Sequence, residues 1–245
     1  TGIDAAPQVK LNASGAIAVG KPIVVNADGT VSEVKQTIEG VATPGYTPQQ
    51  NIINPGNYPA AVQIPGTDRL FIAWHYHNSG EGYVRVYERS GQNLTSISNE
   101  PQFETGNTQN ICVVWDTNAN RAVVFYVDNG DGNKFKAIIC EVSSNGTTLT
   151  VHTGSRYTFP TTEGDVGPLD YKAIYDPDSQ KIIVALPNGA SGSSWIAEAY
   201  VVTVDPSNNT LSLGNKSTIY NSYNVRKVDL AYDTTNNKVV AAISA

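Results

Sequence analysis

One short pattern recurs along this chain of 245 residues, and it constrains the fold more than any other feature. The pattern is an apolar strand, a turn that begins with aspartate, and a second apolar strand that opens on a basic residue. Its clearest copies are VWDTNANRAVVFYVD, IYDPDSQKIIVALPN and AYDTTNNKVVAAISA. Aligned with a weaker first copy, the basic residues are Arg69, Arg121, Lys181 and Lys238, at intervals of 52, 60 and 57 residues. This spacing indicates a repeat architecture.

Each repeat predicts a meander of four antiparallel strands. In the second copy the strands are predicted at 111–115, 121–127, 135–142 and 148–153, and the first and third copies follow the same order. Strands this short cannot bury two faces alone, so the units must stack, and stacked four-stranded meanders form a β-propeller. The alternative is an ordinary β-sandwich with coincidental hairpins. The predicted fold class is all-β, with meander repeats that form a β-propeller or part of one.

The first 50 residues do not follow the repeat and predict a small N-terminal β-module. Within it, GKPIVVNADGTVSEV indicates short strands around a hairpin turn at Ala27–Thr30. The Pro-, Gly- and Asn-rich residues 51–59 are predicted to be a linker, and the repeats are predicted to occupy 60–245 as about three and a half blades.

The last repeat stops after its second strand, at Ala245. An open strand edge would favour aggregation. Two completions are therefore considered: the natural chain continues beyond Ala245, which we favour, or the hairpin around 24–34 completes a closed ring of four blades.

Composition agrees with strands and tight turns, and it argues against two classes of partner. Charged residues make up only 16% of the chain, and the net charge is −6. Nucleic acids and anionic membrane surfaces favour clustered Lys and Arg, so neither is expected as a partner. Membrane insertion is not expected, because no apolar run approaches the roughly 20 residues that a span needs. No cofactor is predicted.

The recurrent aspartates are interpreted as turn residues rather than as a catalytic series. A carboxylate at the start of a turn can accept backbone N–H groups across it, and the basic residue five positions later can lie beside it on the returning strand. The predicted structural pairs are Asp116 with Arg121, Asp176 with Lys181, and Asp233 with Lys238.

The densest aromatic cluster is Trp74, His75, Tyr76 and His77, which we predict as a ligand or adhesion surface. Aromatic faces on loops suit carbohydrate stacking. The alternatives are that the cluster simply caps a strand, or that the His-x-His pair binds zinc. The metal hypothesis lacks a third ligand, because His152 belongs to the outer strand of another blade.

Two further features have a possible chemical role. Residues 128–133, DNGDGN, supply oxygen ligands of the kind calcium prefers, although the spacing is not that of an EF-hand and an ordinary hairpin loop is the favoured interpretation. Cys112 and Cys140 fall on the first and third strands of one blade, about two strand spacings or roughly 9–10 Å apart. That separation is too long for a disulfide, so two free, buried thiols are predicted.

An enzyme is not predicted. Glu163, Asp165 and Asp170 form the best acidic cluster, but no matched acids occupy equivalent inner-strand positions, as a propeller glycosidase would require. The S-x-D-x-G-x-x-W box of sialidase propellers, the P-loop and the G-x-S-x-G elbow are all absent from the sequence.

The phrases WDTNANRAVVFYVDNGDGN, YDPDSQKIIVAL and YDTTNNKVV resemble the blade repeats of bacteriophage virion proteins of the marine tailed-phage type, and GKPIVVNADGTVSEV resembles their N-terminal module. The second copy follows the pattern Y-D-x-x-x-N-K-V-V-x-x-Y-x-D-x-x-N best, through Asp116, Arg121, Tyr126, Asp128 and Asn133. The third and fourth copies lack its aromatic-x-Asp.

This resemblance implies a non-enzymatic virion protein, a tail-fibre or surface component with an adhesive or spacer role. The partners it implies are other virion proteins and a host cell-surface glycan, and a symmetric homo-oligomer is expected. The alternatives are a secreted bacterial carbohydrate-binding β-propeller and a propeller glycosidase.

Overall fold

The computed structural model describes residues 12–17, 19, 23–33, 56–91, 93–161, 171–189, 195–221 and 225–244. The acidic cluster at Glu163, Asp165 and Asp170 lies outside these ranges. Within them, no helix has the length and apolar character needed to cross a membrane.

The chain divides into two compact units, Thr1–Pro48 and Gln49–Ala245. In the first unit, β1 (Ile23–Val25) pairs antiparallel with β2 (Val31–Glu33). The predicted turn between them is present, and the Asp28 carboxylate accepts hydrogen bonds from the backbone N–H and the hydroxyl of Thr30, at 2.9 and 2.7 Å.

The second unit contains three antiparallel meander sheets and a final hairpin, which we call the first to fourth blades. The strands of the first blade are β3 (Gly56–Gln63), β4 (Arg69–Tyr76), β5 (Gly82–Ser90), β6 (Asn93–Ser96) and β7 (Gln102–Glu104). Those of the second are β8 (Thr108–Asp116), β9 (Arg121–Asp128), β10 (Lys134–Val142) and β11 (Leu149–Thr158). Those of the third are β12 (Lys172–Asp176), β13 (Lys181–Asn188), β14 (Ile196–Asp205), β15 (Thr210–Leu213) and β16 (Ser217–Tyr220). The fourth contains β17 (Lys227–Asp233) and β18 (Lys238–Ser244).

The predicted fold class is confirmed: the chain is all-β, and stacked meanders form part of a β-propeller. Two details differ from the prediction. The first blade begins at Gly56, inside the predicted linker 51–59. The outermost strand is also broken into two pieces in the first and third blades, where β6 and β7 both pair with β5, and β15 and β16 both pair with β14.

At two interruptions of strand pairing, in the second and first blades, a serine hydroxyl accepts a hydrogen bond from a backbone N–H of the neighbouring strand. Sequence reasoning missed both serines. In the second blade, β11 bulges between its pairings with Ala137 and Ile139, and the Ser155 hydroxyl accepts from the Ile139 N–H at 2.9 Å. In the first blade, the Ser98 hydroxyl accepts from the Val86 N–H at 2.9 Å. Each serine replaces the strand partner that the interruption removes.

The apolar core lies between consecutive sheets, and β9 shows why. Val123, Phe125 and Val127 face the third blade, whereas Val124 and Tyr126 face the first, and all five are at most 1% exposed. Because both faces of the strand are buried, its sequence is a continuous apolar run rather than an alternation.

The blades stack with their corresponding ends together. At one end, which we call the turn end, the Arg69 guanidinium donates to the Ser144 carbonyl of the second blade at 2.9 Å, and Arg121 Nε donates to Asn209 Oδ1 of the third at 3.1 Å. At the opposite end, which we call the loop end, the Thr108 N–H donates to the Gly80 carbonyl across 2.8 Å.

The repeated aspartates lie at the turn end, and each accepts hydrogen bonds within its own turn. Asp116 Oδ1 accepts from the Ala119 N–H at 2.9 Å, and Asp233 Oδ1 accepts from the Thr235 N–H at 2.9 Å. Asp176 accepts from the Asp178 N–H in the same way. The residue before each basic residue is left-handed, with φ of 54° at Asn120, 55° at Gln180 and 52° at Asn237.

Candidate functional site

The predicted adhesion surface at Trp74–His77 is only partly accessible. Trp74 and His75 are buried, with 3% and 7% exposure, while Tyr76 is half-buried and His77 is exposed. The prediction that all four side chains lie on a surface is therefore wrong for Trp74 and His75, which lie on β4 between β3 and β5 and are buried.

Trp74 belongs to a small apolar cluster with Ile72 and Tyr87. Its ring stacks against Tyr83, with 6.2 Å between the ring centroids. Its burial leaves no indole face for a ligand.

The two histidines are held by protein groups. His75 Nδ1 donates to the Thr108 carbonyl at 2.5 Å and so joins the first blade to the second. His77 Nδ1 accepts from the Asn57 side-chain amide at 2.8 Å. No group of three or more His, Cys, Asp and Glu side chains with metal-binding geometry occurs in the described part of the chain.

We call the exposed and half-buried residues at this end of β4 the aromatic patch: Asn57, Tyr58 and His77 lie on the His75 side of the strand, and Tyr76 and Glu81 lie on the Tyr83 side. Tyr58 is 45% exposed. It lies where the register of β3 breaks between Asn57 and Ala60, and it adopts a left-handed φ of 49°. Such a conformation is uncommon for an aromatic residue. Sequence reasoning placed Tyr58 in the linker and missed it.

Two ring contacts orient the patch. Tyr58 meets His75 edge-on, with 5.7 Å between centroids. Tyr76 meets Tyr83 edge-on at 6.0 Å. The exposed Tyr58 is thus supported by the buried His75 ring, and the half-buried Tyr76 by the half-buried Tyr83 ring.

Glu81 supplies a fixed negative charge next to the Tyr83 hydroxyl. Its carboxylate accepts from the Ser79 hydroxyl at 2.7 Å and from the Tyr83 hydroxyl at 3.0 Å. These two hydrogen bonds, the Ser79 bond first, lower the pKa of Glu81 below its ordinary value. The patch therefore combines aromatic faces with an ionised acceptor, an amide and an imidazole, the groups that bind the apolar face and the hydroxyls of a sugar.

A buried polar network lies between the first and second blades. Glu104, which is 6% exposed, accepts from the Tyr126 hydroxyl at 2.9 Å and lies 3.4 Å from Arg156 Nε. Burial by itself raises the pKa of Glu104, but the Gly106 N–H, the Tyr126 hydroxyl and Arg156 outweigh it, and the pKa lies below its ordinary value. Burial raises the pKa of Tyr126.

In loop 128–133, considered above as a calcium site, the carboxylates bind lysine side chains. Asp128 Oδ2 lies 2.7 Å from Lys136 Nζ, and Asp131 binds Lys136 at 2.8 Å and Lys134 at 2.9 Å. The hydrogen bonds from Lys136 and then Lys134 lower the pKa of Asp131 to about 2. Both carboxylates are therefore paired with lysine ammonium groups, which a cation would have to displace.

The third blade uses the same two strand positions for a different pair. Asn188 and Glu198 correspond to Asp128 and Lys136, and the Asn188 amide donates to Glu198 at 2.6 Å. Glu198 also lies 2.7 Å from Lys216 Nζ. These polar contacts lie within the third blade, and the residues in them are already paired.

Both cysteines are free thiols, as predicted. Cys140 is fully buried and Cys112 is half-buried. Burial raises the pKa of each thiol, which keeps both protonated and unreactive at neutral pH.

Comparison with known protein families and with curated proteins finds no match. Among solved structures, the NanB sialidase from Streptococcus pneumoniae is similar, with a TM-score of 0.50 and 16% identity over 75% of this chain and 26% of that one. A protein from Lactobacillus plantarum has a TM-score of 0.47 and 16% identity, over 77% of this chain and 55% of its own. This chain thus spans about a quarter of the length of the sialidase. The likeness to the sialidase supports the β-propeller fold alone.

Proposed function

We propose that this chain is a non-catalytic adhesion module whose aromatic patch binds carbohydrate. The observations that carry the proposal are the exposed ring of Tyr58 and the position of Tyr76 beside Glu81, whose carbonyl accepts from the Tyr76 N–H at 2.8 Å. Tyr58 is 45% exposed although apolar surface is usually buried, and Glu81 is fixed by two hydroxyl groups. A pre-ordered acceptor next to a supported ring lowers the entropy lost when a sugar binds.

The alternative function is glycoside hydrolysis, and the contact between a tyrosine and a carboxylate is the observation that favours it. Some glycosidases use a tyrosine nucleophile with a neighbouring carboxylate, and Tyr126 donates to Glu104 at 2.9 Å. However, Tyr126 is 0% exposed, and burial raises its pKa. A hydroxyl that no substrate can reach, and that resists ionisation, supports a structural role for this pair.

The biological setting proposed here is the surface or tail of a phage particle. This part of the proposal rests on the resemblance of the repeats around Asp116, Asp176 and Asp233 to virion proteins. In that setting the partners are other virion proteins and a host-surface glycan, and the alternative setting is a secreted bacterial carbohydrate-binding propeller.

The binding proposal is tested on a glycan array with the wild-type chain, Tyr58→Ala and Tyr76→Ala. Each substitution removes one aromatic face, so we expect binding of a positive glycan to fall roughly fivefold to tenfold. Tyr220→Ala is the matched control, because Tyr220 is 39% exposed but lies on the outer strand β16. Equal loss in the control, or binding unaffected by either patch variant, contradicts the proposal.

Two measurements separate the alternatives. Turnover of glycoside substrates that disappears in Asp165→Asn would establish the hydrolase and overturn the non-catalytic proposal. Immunogold labelling of intact phage particles with an antibody against this chain tests the virion location. Absence of label from the tail and the surface of those particles would refute it.

A further inference from the structure

A second surface feature lies away from the aromatic patch, on the outer side of the second and third blades. It is a groove of about 390 Å³, a volume within the range of small-molecule sites. One wall is β11 of the second blade and the other is the β14–β15 turn of the third. Its lining residues are Val151, His152, Thr153, Gly154, Ser155, Asn208, Asn209 and Thr210.

The bulge in β11 shapes the first wall. Ser155 holds the bulge, since its hydroxyl donates to the His152 carbonyl at 2.6 Å and accepts from the Ile139 N–H at 2.9 Å. Among the described strands, β11 is the edge of its sheet and pairs with β10, which leaves main-chain donors and acceptors on its other side. Bulges of this kind are frequent beside binding sites, where they redirect side chains.

The polar side chains of both walls are held in place by neighbours. Asn209 Oδ1 accepts from Arg121 Nε at 3.1 Å, and the Asn208 amide donates to Asp205 at 2.8 Å. His152 Nε2 lies 3.0 Å from Glu141 Oε2. A ligand would therefore meet amide, imidazole and hydroxyl groups that lose little side-chain freedom on binding.

The charges around the groove indicate what kind of ligand it accepts. The charged groups that contact its lining in the described chain are Arg121, Glu141 and Asp205. Arg121 is paired with Glu141 at 3.0 Å, and the hydrogen bond from Asn208, with those from the Ser207 and Asn208 N–H groups, lowers the pKa of Asp205 and keeps it ionised. Two carboxylates against one guanidinium disfavour an anionic ligand.

From this arrangement we propose that the groove is a second carbohydrate site, specific for neutral sugars such as hexoses and N-acetylhexosamines. Hydroxyl and acetamido groups match the amides, the imidazole and the main-chain groups of its walls. Sugars that carry a carboxylate, sialic acid included, are excluded by the excess of negative charge. The site is separate from the aromatic patch, so its test does not depend on the function proposed above.

The test is titration of the ¹⁵N-labelled chain with cellobiose, N-acetylglucosamine and 3′-sialyllactose, followed by amide chemical shifts. We expect the neutral sugars to shift the amides of Thr153, Asn208 and Thr210, and sialyllactose to leave them unchanged. Gly154→Trp should weaken these shifts at least about tenfold. A Cβ at Gly154 would meet no atom within 4 Å, so the strand has room for the first carbon of a larger side chain.

Two controls keep the outcomes apart. Thr210→Val keeps the shape of an exposed side chain and removes its hydroxyl, so a roughly threefold loss is expected even if the tryptophan variant folds poorly. Tyr58→Ala should leave the groove shifts intact. Shifts confined to the patch, no shifts with any neutral sugar, or equal binding of sialyllactose in the groove would each overturn the proposal.

Discussion

Arg121 Nε lies 3.1 Å from Asn209 Oδ1, so the basic residue of the second repeat binds the third blade. Its guanidinium also pairs with Glu141 at 3.0 Å within its own blade. Arg69 forms the equivalent contacts with Glu88 and with the Ser144 carbonyl of the next blade. The repeated basic position therefore joins neighbouring blades at the turn end, in addition to lying opposite the turn aspartate.

Removing this link should destabilise the stack of blades. We expect Arg121→Ala to lower the free energy of unfolding by about 1–2 kcal/mol, since it removes charge-assisted hydrogen bonds from a mostly buried side chain. Lys238→Ala is the control, because Lys238 has the same repeat position in the fourth blade and is exposed. Urea unfolding of both variants measures the difference, and equal costs would refute an inter-blade role for Arg121.

Gly82 is required by the packing of Phe103. A Cβ at Gly82 would lie 2.3 Å from the Phe103 ring, which is 1% exposed. We expect Gly82→Ala to cost about 1–3 kcal/mol through overpacking. Gly154→Ala is the matched change in another strand, with nothing within 4 Å of the added carbon, and should be nearly neutral. Thermal unfolding compares them, and a tolerated Gly82→Ala would contradict the packing described.

Two aspartates of the same motif should respond to pH in opposite directions. Burial raises the pKa of Asp116, despite the hydrogen bond from the Ala119 N–H. The hydrogen bonds from the Asn236 side chain and the Thr235 N–H lower the pKa of Asp233. The cost of burying the charged Asp116 carboxylate is therefore relieved, and the protein becomes more stable, as the pH falls through the raised pKa of Asp116 towards 3.8. The stability that Asp233 contributes is lost as the pH falls below 3.8 through its lowered pKa.

Asparagine substitutions separate these effects. Asp116→Asn keeps a side-chain oxygen for the turn and removes the buried charge, so stability at neutral pH should be unchanged or higher. Asp233→Asn should be slightly less stable at neutral pH, with the difference vanishing in acid. Urea unfolding at several pH values, with carboxyl titration by NMR, provides the measurement, and a titration of Asp116 below that of Asp233 would disprove the assignment.

The serine bridges are the fourth prediction. Ser155→Ala leaves the buried Ile139 N–H without its acceptor, so a loss of about 1–3 kcal/mol is expected. Ser98→Ala removes the equivalent bond to Val86 at a serine that is only half-buried, and it should cost less. Denaturant midpoints rank the two variants, and hydrogen exchange at Ile139 shows whether the lost bond is the cause. Unchanged protection at Ile139 would contradict it.

Part of the candidate site could be found from sequence and part could not. Tyr76 and His77 lie at the end of a strand and precede a polar loop, and they are half-buried and exposed respectively. Trp74 has the same local context, but its burial depends on what packs against β4, and periodicity alone does not report that. The exposure of Tyr58 beside β4 could not be predicted, because Tyr58 is surrounded by Pro, Gly and Asn residues that predict a linker. The position of Glu81 between Ser79 and Tyr83 follows from how the loop closes.

By itself, the sequence determined the repeat unit, its strand order and the aspartate turns. These features depend on contacts between residues close in the chain, such as the Asp116 carboxylate with the Ala119 N–H. The tertiary structure alone decided which side chains are buried and which charges are paired, because those depend on residues far apart in sequence, as Arg121 and Asn209 are. The aromatic patch and the outer groove belong to this second class, since each is assembled from separate segments brought together by stacking and by the breaks in strand pairing.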